Sequence, residues 1–92
     1  MRRPSRSQED NTGVRSSMKE LIQYIARSLV DDPMEVRVTE RGGRDEVHLD
    51  LEVAAEDMGR VIGRAGRVAT AMRTLLRVAA VKGGVRATLD IR

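Results

Sequence analysis

Glycine occupies positions 63 and 66 and arginine positions 64 and 67, within the run Gly59-Arg60-Val61-Ile62-Gly63-Arg64-Ala65-Gly66-Arg67. Two glycines three apart let the chain turn tightly with no Cβ atom in the way, so a sugar-phosphate backbone can approach the main chain closely. A helix that starts after such a corner points free N–H groups and the positive end of its dipole at a phosphate. Arg64 and Arg67 add full charges beside those groups, and Val61 and Ile62 offer an apolar floor for bases. These are groups for holding a strand, and none of them is a nucleophile or a base. A bare G-x-x-G can equally be a plain corner between helices. Here it lies between two amphipathic stretches, in a segment with no acidic residue from Met58 to Leu89.

Other glycine motifs do not fit. A P-loop needs four residues between its glycines and then Lys-Ser or Lys-Thr, and a dinucleotide fingerprint needs G-x-G. Neither pattern is present. Gly59 and Gly63 form a G-x-x-x-G, which outside a long apolar helix implies close helix contact at most. His48 stands on the polar side of an alternating stretch beside Asp50. With no second His and no Cys to complete a set, it reads as a structural histidine, and no metal site, catalytic residue or cofactor is expected. Glu56 and Asp57 read as caps of the short helix that follows them. Arg73 and Arg77, four apart on a helix, could extend a nucleic-acid track or meet an acidic partner. The five methionines read as core filling.

The elements that must position the corner follow from periodicity. Ser17 and Glu20 have the spacing of a capping box, and Met18, Leu21, Ile22, Ile25 and Leu29 then form one apolar stripe, so a helix is predicted from there to Asp32-Pro33. Val36–Thr39 reads as a short strand, Arg41–Arg44 as a glycine turn, and Val47–Val53 as a second strand alternating apolar with polar, so the pair should form a hairpin. Met58, Val61 and Ile62 mark a short helix ending at the corner. A longer helix follows, with Val68, Ala71, Met72, Leu75 and Ala79 assigned to its buried face and Gly83-Gly84 as its stop. Val85, Ala87, Leu89 and Ile91 alternate as a third strand. The order α-β-β-α-α-β predicts an α+β fold, a three-stranded sheet with helices packed on one face.

Composition bounds the rest. The chain has 92 residues, which suits one domain, and no Cys, Phe or Trp; Tyr24, the only aromatic, is placed at a core-side or flanking position of the first helix. An aromatic stacking platform is therefore excluded, whereas a G-x-x-G grip needs none. Residues 1–17 are polar and Ser- and Arg-rich, without periodicity, and read as a disordered tail on a domain spanning residues 18–92; Met18 could serve as an alternative start. No apolar run reaches the ~20 residues of a membrane span, and neither a signal nor a transit peptide fits, so a cytoplasmic location is expected. Charge is segregated: residues 18–57 carry five basic and eleven acidic groups, residues 58–92 eight basic groups and only Asp90. A polyanion would be steered to the second segment and kept off the first.

The run Val61-Ile62-Gly63-Arg64-Ala65-Gly66-Arg67 resembles the signature of the KH domain, V-I-G-x-x-G followed by a helix, and the element order resembles its type II, bacterial arrangement. Residues 18–92 as a whole are similar to the small single-KH RNA-binding proteins of bacteria, including the Asp-Asp-Pro after the first helix and the Arg73-Thr74-Leu75-Leu76-Arg77 run. The resemblance implies that Gly63, Arg64, Ala65 and Gly66 grip about four nucleotides of single-stranded RNA, with Ile62 beneath the bases and Arg67 at the flank. It also implies an RNA-chaperone or post-transcriptional role linked to cell shape and wall growth. The partners it implies are a second copy of the chain, a larger protein carrying KH and R3H domains, or both. An alternative of another class is a ribosome-maturation or protein-interaction module that keeps the KH-like fold. The intact G-x-x-G argues against it, because a purely structural domain has no need of an exposed cationic corner.

Overall fold

A computed structural model of the chain describes the backbone of residues 6–92 and the side chains from Ser17 onward. Helix α1 spans Arg6–Leu29, then a 3-10 turn at Pro33–Glu35 leads into β1, Arg37–Arg41. Strand β2 is Glu46–Glu52, α2 is Met58–Ile62, α3 is Arg67–Gly83 and β3 is Arg86–Ile91. The expected α+β order of a KH-like fold is present. The sheet runs β1-β2-β3, with β1 antiparallel and β3 parallel to β2. A parallel neighbour requires a crossover, and α2 and α3 supply it.

Met18, Ile22 and Ala26 of α1, Val61 of α2, and Met72, Leu76 and Ala80 of α3 close over Val38, Val47, Leu49, Leu51 and Leu89 of the sheet. Burying each of the Val, Leu, Ile and Met side chains contributes about 1.5–3 kcal/mol, and no aromatic ring takes part. Tyr24 is 73% exposed, which rules out the core-side one of its two expected positions.

Three further expectations are corrected. The first concerns α1, which starts at Arg6, so Ser17 lies inside the helix rather than at its cap. No proline falls between residues 6 and 32, and once the packed half of a helix exists, extending it upstream adds a hydrogen bond for each residue fixed. Of the segment read as an unstructured tail, residues 1–5 lie outside the described residues. The second concerns α3, whose buried stripe is Ala69, Met72, Leu76 and Ala80; Ala71 and Leu75 are exposed. The third concerns Asp57, an expected cap, which makes no capping hydrogen bond and is instead buried.

The sheet face away from the helices is polar. His48 Nε2 lies 3.2 Å from Asp50 Oδ1 and 3.2 Å from Asp90 Oδ2, and its Nδ1 meets Thr88 Oγ1. Arg41 Nε donates to Asp50 Oδ2 at 3.1 Å, and Arg92 Nη2 is 3.5 Å from Asp50 Oδ1. Asp50, expected on a polar exposed face, is only 8% exposed because these partners cover it. Burial alone would raise its carboxyl, but the Arg41 bond and charge, with Arg92 and His48, outweigh that and hold it below the usual carboxylate range. His48 thus bridges Asp50, which Arg41 and Arg92 also pair, and Asp90.

Candidate nucleic-acid interface

Helix α2 is only five residues long and ends where Gly63 takes φ +79° and ψ 168°. Its C-terminal closure is backbone-made: Gly63 N–H donates to Gly59 C=O at 2.9 Å, and Gly66 N–H to Gly63 C=O at 3.0 Å. Ala65 follows at φ 56°, ψ 26°, and Gly66 at φ 74°, ψ 15°, so three of the four corner residues are left-handed. A left-handed alanine is uncommon, and its presence between two left-handed glycines marks a built conformation rather than a slack linker.

This corner delivers the chain into α3, whose N-cap is Gly66 and which no side chain caps. Within the corner the Arg67 N–H is taken by the Arg64 carbonyl, and the N–H groups after it have no side-chain cap, the arrangement that binds an anion. Arg64 and Arg67 are both exposed beside them. Among the described residues neither is held by a carboxylate. The six expected site residues, Ile62, Gly63, Arg64, Ala65, Gly66 and Arg67, are thus contiguous across one corner. Ile62 is half-buried at the end of α2 and is the apolar residue available at its base. Val61, expected to share that floor, faces the core and is fully buried.

Besides Arg92, two arginines of the basic segment have other work. Arg73 Nε and Nη2 both donate to Leu89 C=O, at 3.2 and 3.1 Å, so this side chain ties α3 to β3. Arg60 Nη2 donates to Asp31 Oδ2 at 3.1 Å. Arg77 remains exposed, and with Arg73, Leu76, Ala87, Thr88 and Leu89 it lines a shallow groove between α3 and β3. Composition had not shown that groove, because its two walls lie apart in sequence.

The family model described as KhpA/KhpB, KH domain, matches residues 19–91. The RNA-binding protein KhpA of Clostridium acetobutylicum is 51% identical over 74 residues, covering 80% of this chain and 99% of that relative. That of Treponema pallidum is 52% identical over 73 residues, covering 79% and 91%. That of Aquifex aeolicus is 41% identical over 76 residues, covering 83% and 96%. No solved structure gave a significant match. The family is a non-enzymatic one. With its fold, its G-x-x-G corner and these relatives, the chain belongs to the KhpA/KhpB KH-domain family.

Proposed function

We propose that this chain binds single-stranded RNA, about four nucleotides at a time, through the Gly63–Gly66 corner and the uncapped start of α3. The observation that supports it most is the positive-φ run at Gly63, Ala65 and Gly66, which turns the chain into the uncapped start of α3 beside Arg64 and Arg67, neither held by a carboxylate among the described residues. Arg64 and Arg67 take phosphates, Ile62 underlies the bases, and the α3–β3 groove beside Arg77 extends the track. One such grip has few base contacts, so sequence preference is low and affinity depends on joining two grips.

That need supports the partner reading, a second copy or a KhpB-type KH protein. Leu75, Val78 and Val81 form an exposed apolar strip on α3 suited to a protein contact. The RNA-chaperone role, the link to cell shape and wall growth and the cytoplasmic setting belong to the same reading. Among the described residues no helix is long and apolar enough to cross a membrane. The strip is also the observation that favours a protein-interaction module as a second reading.

The test that separates the two is salt. Neutralising about three phosphates on a single strand gives a slope of about −2 in log K against log salt. Raising salt from about 50 to 200 mM should then weaken binding of a short oligoribonucleotide roughly twentyfold. A flat response, read by fluorescence anisotropy, would remove the phosphate grip and leave the protein-contact reading. Residues 1–17 are proposed to lie outside the KH domain. A chain begun at Asn11 should melt within a few degrees of the full chain, and a much lower melting point would show that the deleted residues support the core.

A further inference from the structure

A five-residue helix has no stability of its own, so something outside α2 must set its direction. Val61 anchors one side of it in the core. The other anchor is Asp57, the residue before α2, which is 2% exposed although it carries a carboxylate. Its Oδ1 accepts the N–H of Asp31 and its Oδ2 the N–H of Asp32, both at 3.1 Å. These amides belong to the chain leaving α1, just past the last helical residue, where proline at 33 ends any further helix. Arg60, one turn further along α2, donates to Asp31 and places its Nε 3.7 Å from Asp57 Oδ1. The start of α2 is therefore clamped to the end of α1 by one buried carboxylate and one arginine. The Gly63–Gly66 corner hangs from the other end of the same short helix.

We infer that Asp57 and Arg60 are the positioning pair of the nucleic-acid corner: neither touches RNA, and together they fix where α2 delivers the loop. The inference rests on the binding function proposed above. It assigns Arg60 differently from its neighbours Arg64 and Arg67, because the charge of Arg60 is matched by Asp31 and Asp57. Asparagine at position 57 would keep one acceptor oxygen but turn an N–H₂ toward an amide that needs an acceptor. The clamp would then open locally while the sheet and the rest of the core stay closed.

The test uses the full chain, Asp57→Asn and Arg60→Gln, and a labelled single-stranded oligoribonucleotide of mixed sequence. If the competent loop geometry falls to about one molecule in ten in Asp57→Asn, apparent affinity falls about tenfold. Amide exchange should quicken at residues 63–67 and not in β2 or the middle of α3. The salt slope of both variants should stay at about −2, because no phosphate contact is lost. A slope shallower by about 0.7 in Arg60→Gln would make Arg60 a phosphate ligand and overturn the inference. So would uniformly faster exchange in Asp57→Asn with unchanged affinity per folded molecule, the mark of a merely stabilising carboxylate. Should Asp57→Asn not fold, Arg60→Gln decides by its slope and loop exchange. If the unaltered chain binds no RNA, the proposed function fails on its own, and the exchange pattern still tests the clamp.

Discussion

Replacing Arg64 and Ala65 together by aspartate is expected to abolish detectable binding of short single-stranded RNA while the protein stays folded. Both side chains are exposed at the corner, and substitutions at such positions usually change stability by no more than about 0.5 kcal/mol. Ala65 is left-handed at φ 56°, a conformation that aspartate adopts more readily than most residues, so the corner need not rearrange. The change removes one positive charge and adds two negative ones beside the uncapped N–H groups of α3. At about 1 kcal/mol per unit charge in a solvated setting, three units amount to about 3 kcal/mol, more than a hundredfold in Kd. Far-ultraviolet circular dichroism should be unchanged, and anisotropy titration should show no saturation. Arg77→Ala is the fitting comparison, with an expected loss of only a few-fold. Arg73 is not, because its removal also cuts the tie between α3 and β3. A double variant that binds normally would reduce the G-x-x-G to a helix corner.

Gly63→Ala should be the most damaging single substitution in the corner, and through stability as well as binding. At φ +79° and ψ 168° a side chain is strained, and a Cβ there would come within 2.4 Å of Val68 Cγ2 and 2.9 Å of the Val68 amide nitrogen. Strain of about 1–3 kcal/mol adds to the overlap, giving roughly 3 kcal/mol and a melting point about 15 °C lower. Gly66→Ala makes the contrast. Its Cβ would meet nothing within 4 Å, so only the left-handed penalty of about 1 kcal/mol remains, about 5 °C. That same Cβ would stand in open space at the corner proposed to hold the strand, so Gly66→Ala should lower affinity more than its small thermal effect suggests. Equal melting points for the two variants would contradict the asymmetry between the glycines.

The corner and the hairpin were readable because their signals are local. Gly63 and Gly66 declare a turn within four residues, and Val47, Leu49 and Leu51 alternate within one strand. The face of α3 was not readable in this way. Apolar residues surround it, so 68-71-72-75-79 and 69-72-76-80 are both acceptable stripes, and only the sheet beneath selects the second. Asp57 was missed for a related reason. Its partners are amides 25 and 26 residues away, and a carboxylate before a short helix looks like a cap whatever it bonds. The extension of α1 to Arg6 was hard to read because, Val14 apart, residues 6–16 are polar or glycine and give periodicity too few apolar positions to work on. The parallel placement of β3 depends on the crossover and has no signature within the strand itself.

The bond from Arg73 to Leu89 bears on solubility. Arg86 and Arg92 use their backbone groups toward the β2 side, so by alternation the Leu89 carbonyl points away from the sheet, along the outer edge of β3. A row of free carbonyls and amides on an edge strand is a template for pairing with another molecule's strand. Here the guanidinium occupies one acceptor in the middle of that row and places a charge over it. A strand from a neighbouring molecule could not pair in register along β3 without displacing it. Arg73 is in this sense a gatekeeper: in a small aliphatic domain without disulfides, it keeps the exposed edge of the sheet from becoming a seed for aggregation.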